Sequence, residues 1–448
     1  MRTPRSAGLS TAVLAAFLAA PGFAVSASGD AAGKEVVPFM ADDYPGALAR
    51  ARAESKPIFL EAWAPWCHSC RAMRAFVFTD RALERQAGRF VWLSINTEKR
   101  ENSAVLAKFP VQAWPSLYVI DPKSEKVVLR YVGGATVTQL QRILDDGARA
   151  AGVGRKPDEW LARADAFYSA GQNKEAAEAY GVALKGMAKS SPSYPRAVES
   201  LLFALSASRQ HEACAIVARD AFPHLKTSPS AANVAGSGLD CAMELDKTAP
   251  SSKGFVSALT GDAAEVLRGP RTGLAADDVS SLYQTLAQQR ESVNDAAGRT
   301  KVLEEWAAYL EGEAAKGKTP EARAAFDAHR ITAYLELSQP ERGIPMLEAS
   351  ERDFPDDYNP PARLALAYRA MKKYDAALAA SDRALQHAYG PRKLVILSAR
   401  ADIYDKKGDR AGARKTRENA LAWAEALPKE QVSERQIAAL KKQLETPK

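Results

Sequence analysis

Apolar positions change their period once along this chain of 448 residues. Between residues 45 and 150 they form short continuous runs bounded by turn residues, the pattern of buried strands, and these alternate with stretches of helical spacing. Ala47–Ser55 reads as a short helix and Pro57–Trp63 as a buried strand. Cys67–Gln86 reads as one helix, Phe90–Asn96 as a strand and Asn102–Phe109 as a short helix. Ser116–Asp121 and Val127–Tyr131 are strands separated by Asp-Pro-Lys-Ser-Glu-Lys, which is hairpin turn chemistry, and Thr136–Ala151 closes the unit as a helix. The order predicts an α/β layer architecture, with parallel pairing first and an antiparallel hairpin last. Residues 28–44 show no period and read as a tether.

Residues 151–157, Ala-Gly-Val-Gly-Arg-Lys-Pro, are rich in breakers and read as a linker. From 158 to 440 the strand signal is gone, and the pattern is helical and repetitive. Tyr334, Tyr368 and Tyr404 head similar blocks 34 and 36 residues apart, and Ala365, Tyr368, Ala377 and Ala384 recur as Ala401, Tyr404, Ala413 and Ala420. That period resembles the tetratricopeptide repeat, a helix-turn-helix unit that buries its apolar face by stacking on its neighbours. Trp160, Ala164, Phe167, Gly171, Ala176, Tyr180 and Ala183 resemble the repeat in register, and Pro355 falls where the repeat often ends. Residues 195–320 match poorly, although Ala204 and Ala213 fit one degenerate unit, and are expected to continue as helical hairpins. The expected fold is thus an α/β domain followed by an all-α helical solenoid.

Composition narrows the function classes. Hydrophobic residues at 46% and charged residues at 26% exclude a disordered chain. The formal charge is +7, but its basic clusters are pairs such as Lys372-Lys373 and Lys406-Lys407, a solvated face rather than a nucleic-acid site. Residues 1–27 read as a secretory signal: Arg2 and Arg5 precede the apolar run Leu9–Ala20, and small residues follow at Val25, Ser26 and Ala27. The run falls short of the ~20 residues a membrane span needs, and no later stretch could cross a bilayer. A bacterial, periplasmic or secreted protein without a membrane span in the mature chain is the expectation, in a compartment where disulfides persist.

The chemistry concentrates in Trp63-Ala-Pro-Trp66-Cys67-His68-Ser-Cys70, where a strand meets a helix. A Cys-x-x-Cys at a helix start exposes its first sulfur to unpaired backbone N–H groups, which favour the thiolate that attacks in disulfide exchange. Cys67 is then the nucleophile, and Cys70, one turn on, the resolving thiol. The stretch resembles the thioredoxin family over about residues 45–150, and is similar to the C-terminal thioredoxin-like domain of the bacterial transmembrane thiol:disulfide interchange protein. The resemblance implies further roles. Glu61 stands where the family carries a buried Asp that shuttles protons. Trp114-Pro115 stands at the family's cis-proline, which offers backbone to substrate, and Gly133-Gly134 precedes the last helix as in the family. Trp66 and His68 join Trp114 and Pro115 as expected substrate-contacting residues, His68 either as an imidazolium favouring the Cys67 thiolate or as an exposed helix-start residue. The dipeptide between the cysteines is His-Ser rather than the family's Gly-Pro, and Glu replaces Asp.

A structural zinc site is disfavoured, since it needs four protein ligands and no second Cys-x-x-Cys exists. Gly236-Ser237-Gly238 lacks the spacing of a nucleophile elbow, and Gly152-Val153-Gly154 lacks the third glycine of a dinucleotide site. No metal and no cofactor beyond the Cys67–Cys70 dithiol/disulfide is expected. Cys214 and Cys241 are either a disulfide between adjacent hairpins or two buried thiols. The reading is an exported thiol:disulfide oxidoreductase, with protein thiols or disulfides as substrates and a helical array that holds a protein partner. The alternatives are a scaffold or chaperone-like assembly factor whose array is the main functional surface, and a copper or zinc carrier using Cys67, His68 and Cys70.

Overall fold

The computed structural model describes residues 35–152, 159–246, 248 and 250–445. The signal segment 1–27 and most of the linker 151–157 lie outside the described residues. Strands β2 (Ile58–Trp63) and β3 (Val91–Asn96) pair in parallel, Ile58 opposite Val91 and Trp63 opposite Asn96. Both are covered on two faces, which is why they read as continuous apolar runs. β4 (Ser116–Asp121) runs antiparallel to β2, and β5 (Lys126–Val132) antiparallel to β4 with a register shift at Val119/Ile120. With β1 (Met40–Ala41) on β3, the sheet order is β1-β3-β2-β4-β5. On one face Ile58, Leu60, Leu93, Ile95 and Ile120 pack against α1 (Tyr44–Glu54) and Phe109, which follows α4 (Ser103–Lys108). On the other, Phe59, Trp92, Leu117 and Val119 pack against Met73, Val77 and Phe78, and against Leu140, Ile143 and Leu144 of α5 (Val137–Ala150).

Two expectations are corrected. The described part of the tether, from 35 onward, belongs to the domain: Met40 pairs with Leu93, Val37 is buried, and Phe39 packs edge-on against Phe78 and Trp92. A two-residue strand is too short for any period to register. The expected helix Cys67–Gln86 is broken. It runs as α2 (His68–Ala72), passes through a π turn over Met73–Val77, stops, and restarts as Arg81–Leu83 and α3 (Glu84–Ala87). Phe78 is pulled into the core, and the Asp80 carboxylate caps the restart by accepting from Ala82 N–H.

From α6 on, the described residues are helical. They form the hairpins α6 (Glu159–Ser169) with α7 (Asn173–Gly186), and α8 (Tyr194–Ala207) with α9 (His211–Leu225). Then come α10 (Ala231–Met243), α11 (Pro250–Arg268), α12 (Ala276–Ser292), α13 (Ala296–Lys316), α14 (Pro320–Ala324), α15 (Asp327–Glu336) and α16 (Ile344–Asp353). α17 (Asn359–Ala370), α18 (Tyr374–His387), α19 (Gly390–Lys407), α20 (Arg410–Ala426) and α21 (Glu434–Glu445) complete the array. Cys214 of α9 and Cys241 of α10 are joined, with Cα atoms 6.0 Å apart, so the disulfide alternative holds. Among the described residues no helix is long and apolar enough to cross a membrane.

The array does not trail away from the sheet. Arg130 of β5 donates to the Tyr168 carbonyl of α6, Arg196 of α8 pairs with Asp146 of α5, and Tyr131 donates to Glu199 of α8. Further along, α12, α17 and α19 reach the residues around the Cys67–Cys70 bond.

Candidate redox site and its helical cover

β2 ends at Trp63, and two residues of turn deliver Cys67 to the N-cap of α2. There its Sγ accepts the Cys70 N–H at 3.0 Å. Cys67 and Cys70 are disulfide-bonded, Cα atoms 5.3 Å apart, and only 3% and 0% exposed. Trp63, Trp66 and Trp114 pack around them. The Trp114–Pro115 bond is cis, as the resemblance implied. Trp114 donates to Thr97 Oγ1 at 2.8 Å, Trp66 donates to Glu98 Oε1 at 2.8 Å, and the two indoles meet at 5.0 Å. Trp63, the last residue of the strand read as buried, is only partly buried and lies under the Arg74 guanidinium, 3.8 Å from its ring centroid.

Glu61 lies on the same face of β2 as Phe59, beneath the turn of helix that follows Cys70. It is fully buried. One carboxylate oxygen accepts from Arg74 at 2.9 Å, and the other has no hydrogen-bond partner. Burial pushes its pKa up to about 7, against the pull of Arg74. A carboxyl poised there can hold or release a proton at neutral pH.

His68 is neither free nor simply exposed. Its Nδ1 lies 2.7 Å from Asp277 of α12, whose other oxygen accepts from Ser69 at 2.6 Å. Its ring meets that of His329 from α15 at a tilt, centroids 3.9 Å apart, and His329 Nδ1 is 2.6 Å from Ser280 Oγ, which takes the Trp306 N–H. Burial works to lower the His68 pKa, but Asp277 outweighs it and holds the ring above its ordinary value. Burial and the neighbouring His68 charge push His329 down to about 4. Burial opposes ionisation of Asp277 too, yet His68 holds that carboxyl well below the usual range. The two imidazoles thus flank one carboxylate, which favours the charged form of His68, while burial favours the neutral form of His329. The ligand atoms of His68, Asp277 and His329 come within 4.8 Å of one another and could hold a divalent ion, although each ring already has its hydrogen-bond partner.

The remaining contacts close over the motif. Arg71 pairs with Asp357 at 2.6 Å, Asn359 donates to the Pro65 carbonyl, and Phe76 meets Phe326 at 5.8 Å. On the Trp66 side the backbone N–H of Arg392 donates to Glu98 at 2.6 Å, and Gln431 donates to the carbonyls of Thr97 and Lys99. Cys67, Cys70, Trp66, His68 and the Trp114–Pro115 pair are therefore gathered at one place, and Glu61 is joined to it through Arg74, whose guanidinium lies over Trp63. Sequence reasoning missed Arg74, Asp277, His329, Asp357 and Arg392. Arg74 lies one turn beyond Cys70 and was within reach of helical spacing; the others lie over 200 residues away and carry no motif.

Residues 44–148 match the family described as thioredoxin-like domain. The chain is 33% identical over 89 residues to thioredoxin of Haemophilus influenzae, covering 20% of this chain and 78% of that protein. It is 27% identical over 86 residues to the thiol:disulfide interchange protein DsbD of Yersinia pestis, where the match covers 19% of this chain and 14% of that protein. Among solved structures, a tetratricopeptide repeat protein from Parabacteroides merdae aligns over 64% of this chain and 98% of its own, at 12% identity and a TM-score of 0.40.

Proposed function

The chain belongs to the thioredoxin family through residues 44–148, and on that premise we propose that it is an exported bacterial thiol:disulfide oxidoreductase acting on protein substrates. The observation that carries the reading is the Cys67–Cys70 disulfide at the start of α2, with a backbone N–H aimed at the Cys67 sulfur. In the reduced state that N–H stabilises a Cys67 thiolate. The thiolate attacks a substrate disulfide, forms the Cys67–substrate bond and expels one substrate thiolate. Cys70 loses its proton to Glu61 and attacks Cys67. The second substrate thiol leaves, and the protein disulfide is restored. Two electrons pass from the protein dithiol to the substrate, and the reverse sequence oxidises a substrate dithiol. Trp66, Trp114 and Pro115 line the approach. Disulfides at both Cys67–Cys70 and Cys214–Cys241 support an oxidising compartment.

The array has a second task in this reading: it covers the motif and can hold a protein client. The burial of Cys67 also favours the scaffold alternative, in which the thioredoxin unit grips a partner without turnover. Turnover decides. The purified protein, supplied with excess dithiothreitol, should reduce insulin with many turnovers per molecule. Cys67→Ser should abolish the reaction, and Cys70→Ser should accumulate a Cys67-linked mixed disulfide because only resolution is lost. Stoichiometric binding without turnover would leave the scaffold reading in its place.

A further inference from the structure

Beside the disulfide lies a cavity of about 480 Å³, within the range of pre-formed ligand sites. One wall is the thioredoxin unit, with Trp66, Glu98 and Trp114, and the other is the array, with Arg392 and Val395 of α19 and Gln431 before α21. Its polar groups are unequally occupied. Both oxygens of Glu98 are taken, one by the Trp66 N–H and the other by the Arg392 backbone N–H. Gln431 is 8% exposed; its amide nitrogen holds two carbonyls, while its Oε1 is buried without a partner. The Arg392 side chain leans over the Trp66 ring and its Nε is buried without a partner; its guanidinium feels the Glu98 carboxylate but makes no ion pair among the described residues. Arg363 of α17 is also buried, repelled by the charges of Arg71 and Arg392 and attracted by those of Asp327 and Asp357. The apolar wall ends at Val395, which is 51% exposed.

A guanidinium without an ion-pair partner, an orphaned amide acceptor and two edge-to-face indoles packed on the disulfide describe a ligand that brings a carboxylate, an N–H and apolar surface together. We propose that this cavity is a subsite, built jointly by the array and the thioredoxin unit, for the extended client segment flanking the reacting cysteine, and that Arg392 selects an acidic residue in that segment. The inference rests on the oxidoreductase reading and names its substrate class. A charge-assisted hydrogen bond to a partly buried guanidinium favours the acidic segment about tenfold over its amide counterpart.

Two measurements on the full chain test it. In the first, the rate of mixed-disulfide exchange is measured for synthetic disulfide peptides with Glu, Gln or Lys beside the cysteine. Glu should react about tenfold faster than Gln, and Lys slower still. R392Q should bring the Glu/Gln ratio to about one, and R392K should keep part of it. The second uses the same peptides with Ser in place of Cys and reads binding by calorimetry, so it is independent of turnover. The Glu peptide should bind about tenfold tighter than the Gln peptide, and a circular dichroism spectrum unchanged in R392Q guards against misfolding. Equal binding of the Glu and Gln peptides, or a preference that survives R392Q, overturns the subsite. Oxidised glutathione reacting as fast as the Glu peptide overturns the protein segment as occupant. Insulin turnover without an acidic preference sinks this inference alone, whereas binding preference without turnover leaves the subsite standing and removes the oxidoreductase reading.

Discussion

A carboxyl with a pKa of about 7 in the folded state and 4.5 as its ordinary value binds a proton in the native protein that the unfolded chain has already lost. For Glu61, stability therefore falls as pH rises from 4.5 to 7, and above that range its burial as a carboxylate costs on the order of 3 kcal/mol. Glu61→Gln should raise stability in urea at pH 8 and leave it nearly unchanged at pH 4.5, while turnover slows and loses its dependence on a group near neutrality. Equal gains at both pH values would mean that Glu61 does not titrate as argued. Asp277 makes a second case at this scale. Asp277→Asn removes the charge that holds the His68 proton, so the His68 pKa should drop from above 6.5 to below it, as read from imidazole shifts in a proton NMR titration. A His68 that still titrates above 6.5 in that variant breaks the link. Cys67, Cys70, Glu61 and Pro115 were legible in the sequence because they sit at fixed offsets within one motif-bearing domain. Asp277 and His329 were not, because an Asp and a His on helices acquire their meaning only when packing brings α12 and α15 onto α2.

Elements were legible where their period was long, and their links were not. Six helix pairs share one connection: the residue closing the first helix is left-handed, at Gly171, Arg209, Asn294, Ser338, Lys372 and Gly408. In each case the next N–H reaches back to the carbonyl five residues earlier, as in Lys373 to Tyr368 and Asp409 to Tyr404. Glycine marks only two of the six; the hairpin at 209 was legible only as one degenerate unit through Ala204 and Ala213, and the one at 294 went unseen as a repeat, although helical hairpins were expected there. A non-glycine residue held left-handed is strained by ~1–2 kcal/mol, offset in part by glycine's greater freedom in the unfolded chain. Lys372→Gly should therefore raise stability by about 0.5 kcal/mol. Gly408→Ala, where an added methyl meets nothing within 4 Å, should cost ~1 kcal/mol through backbone strain alone. Urea midpoints with unchanged slopes check both, and a gain in Gly408→Ala would contradict the shared turn. The break after Val77 was hidden for a similar reason: apolar spacing continues through Phe78 while the backbone does not.

The whole molecule holds the largest departure from the sequence reading. Two units in a row suggest a catalytic head with a binding tail, yet α12, α17 and α19 fold back over the disulfide and leave Cys67 3% exposed. No local pattern encodes such a return, because it rests on single contacts between residues hundreds of positions apart. One contact is tight enough to test the cover. Gly390, the first residue of α19, has a φ of +56°, and any Cβ there would stand 2.1 Å from the Glu98 carbonyl oxygen. Gly390→Val must therefore lift α19, break the Arg392–Glu98 hydrogen bond and open the Trp66 side of the motif. After reduction, Cys67 of that variant should react with iodoacetamide several times faster than in the parent protein. Asp357→Asn, which leaves all glycines in place and removes the ion pair to Arg71, should accelerate alkylation to a smaller degree, since a buried charge left without its partner loosens the helix that carries it. Alkylation at the parent rate in both variants, with the thioredoxin unit still folded by near-UV circular dichroism, would show that the array does not limit access to Cys67.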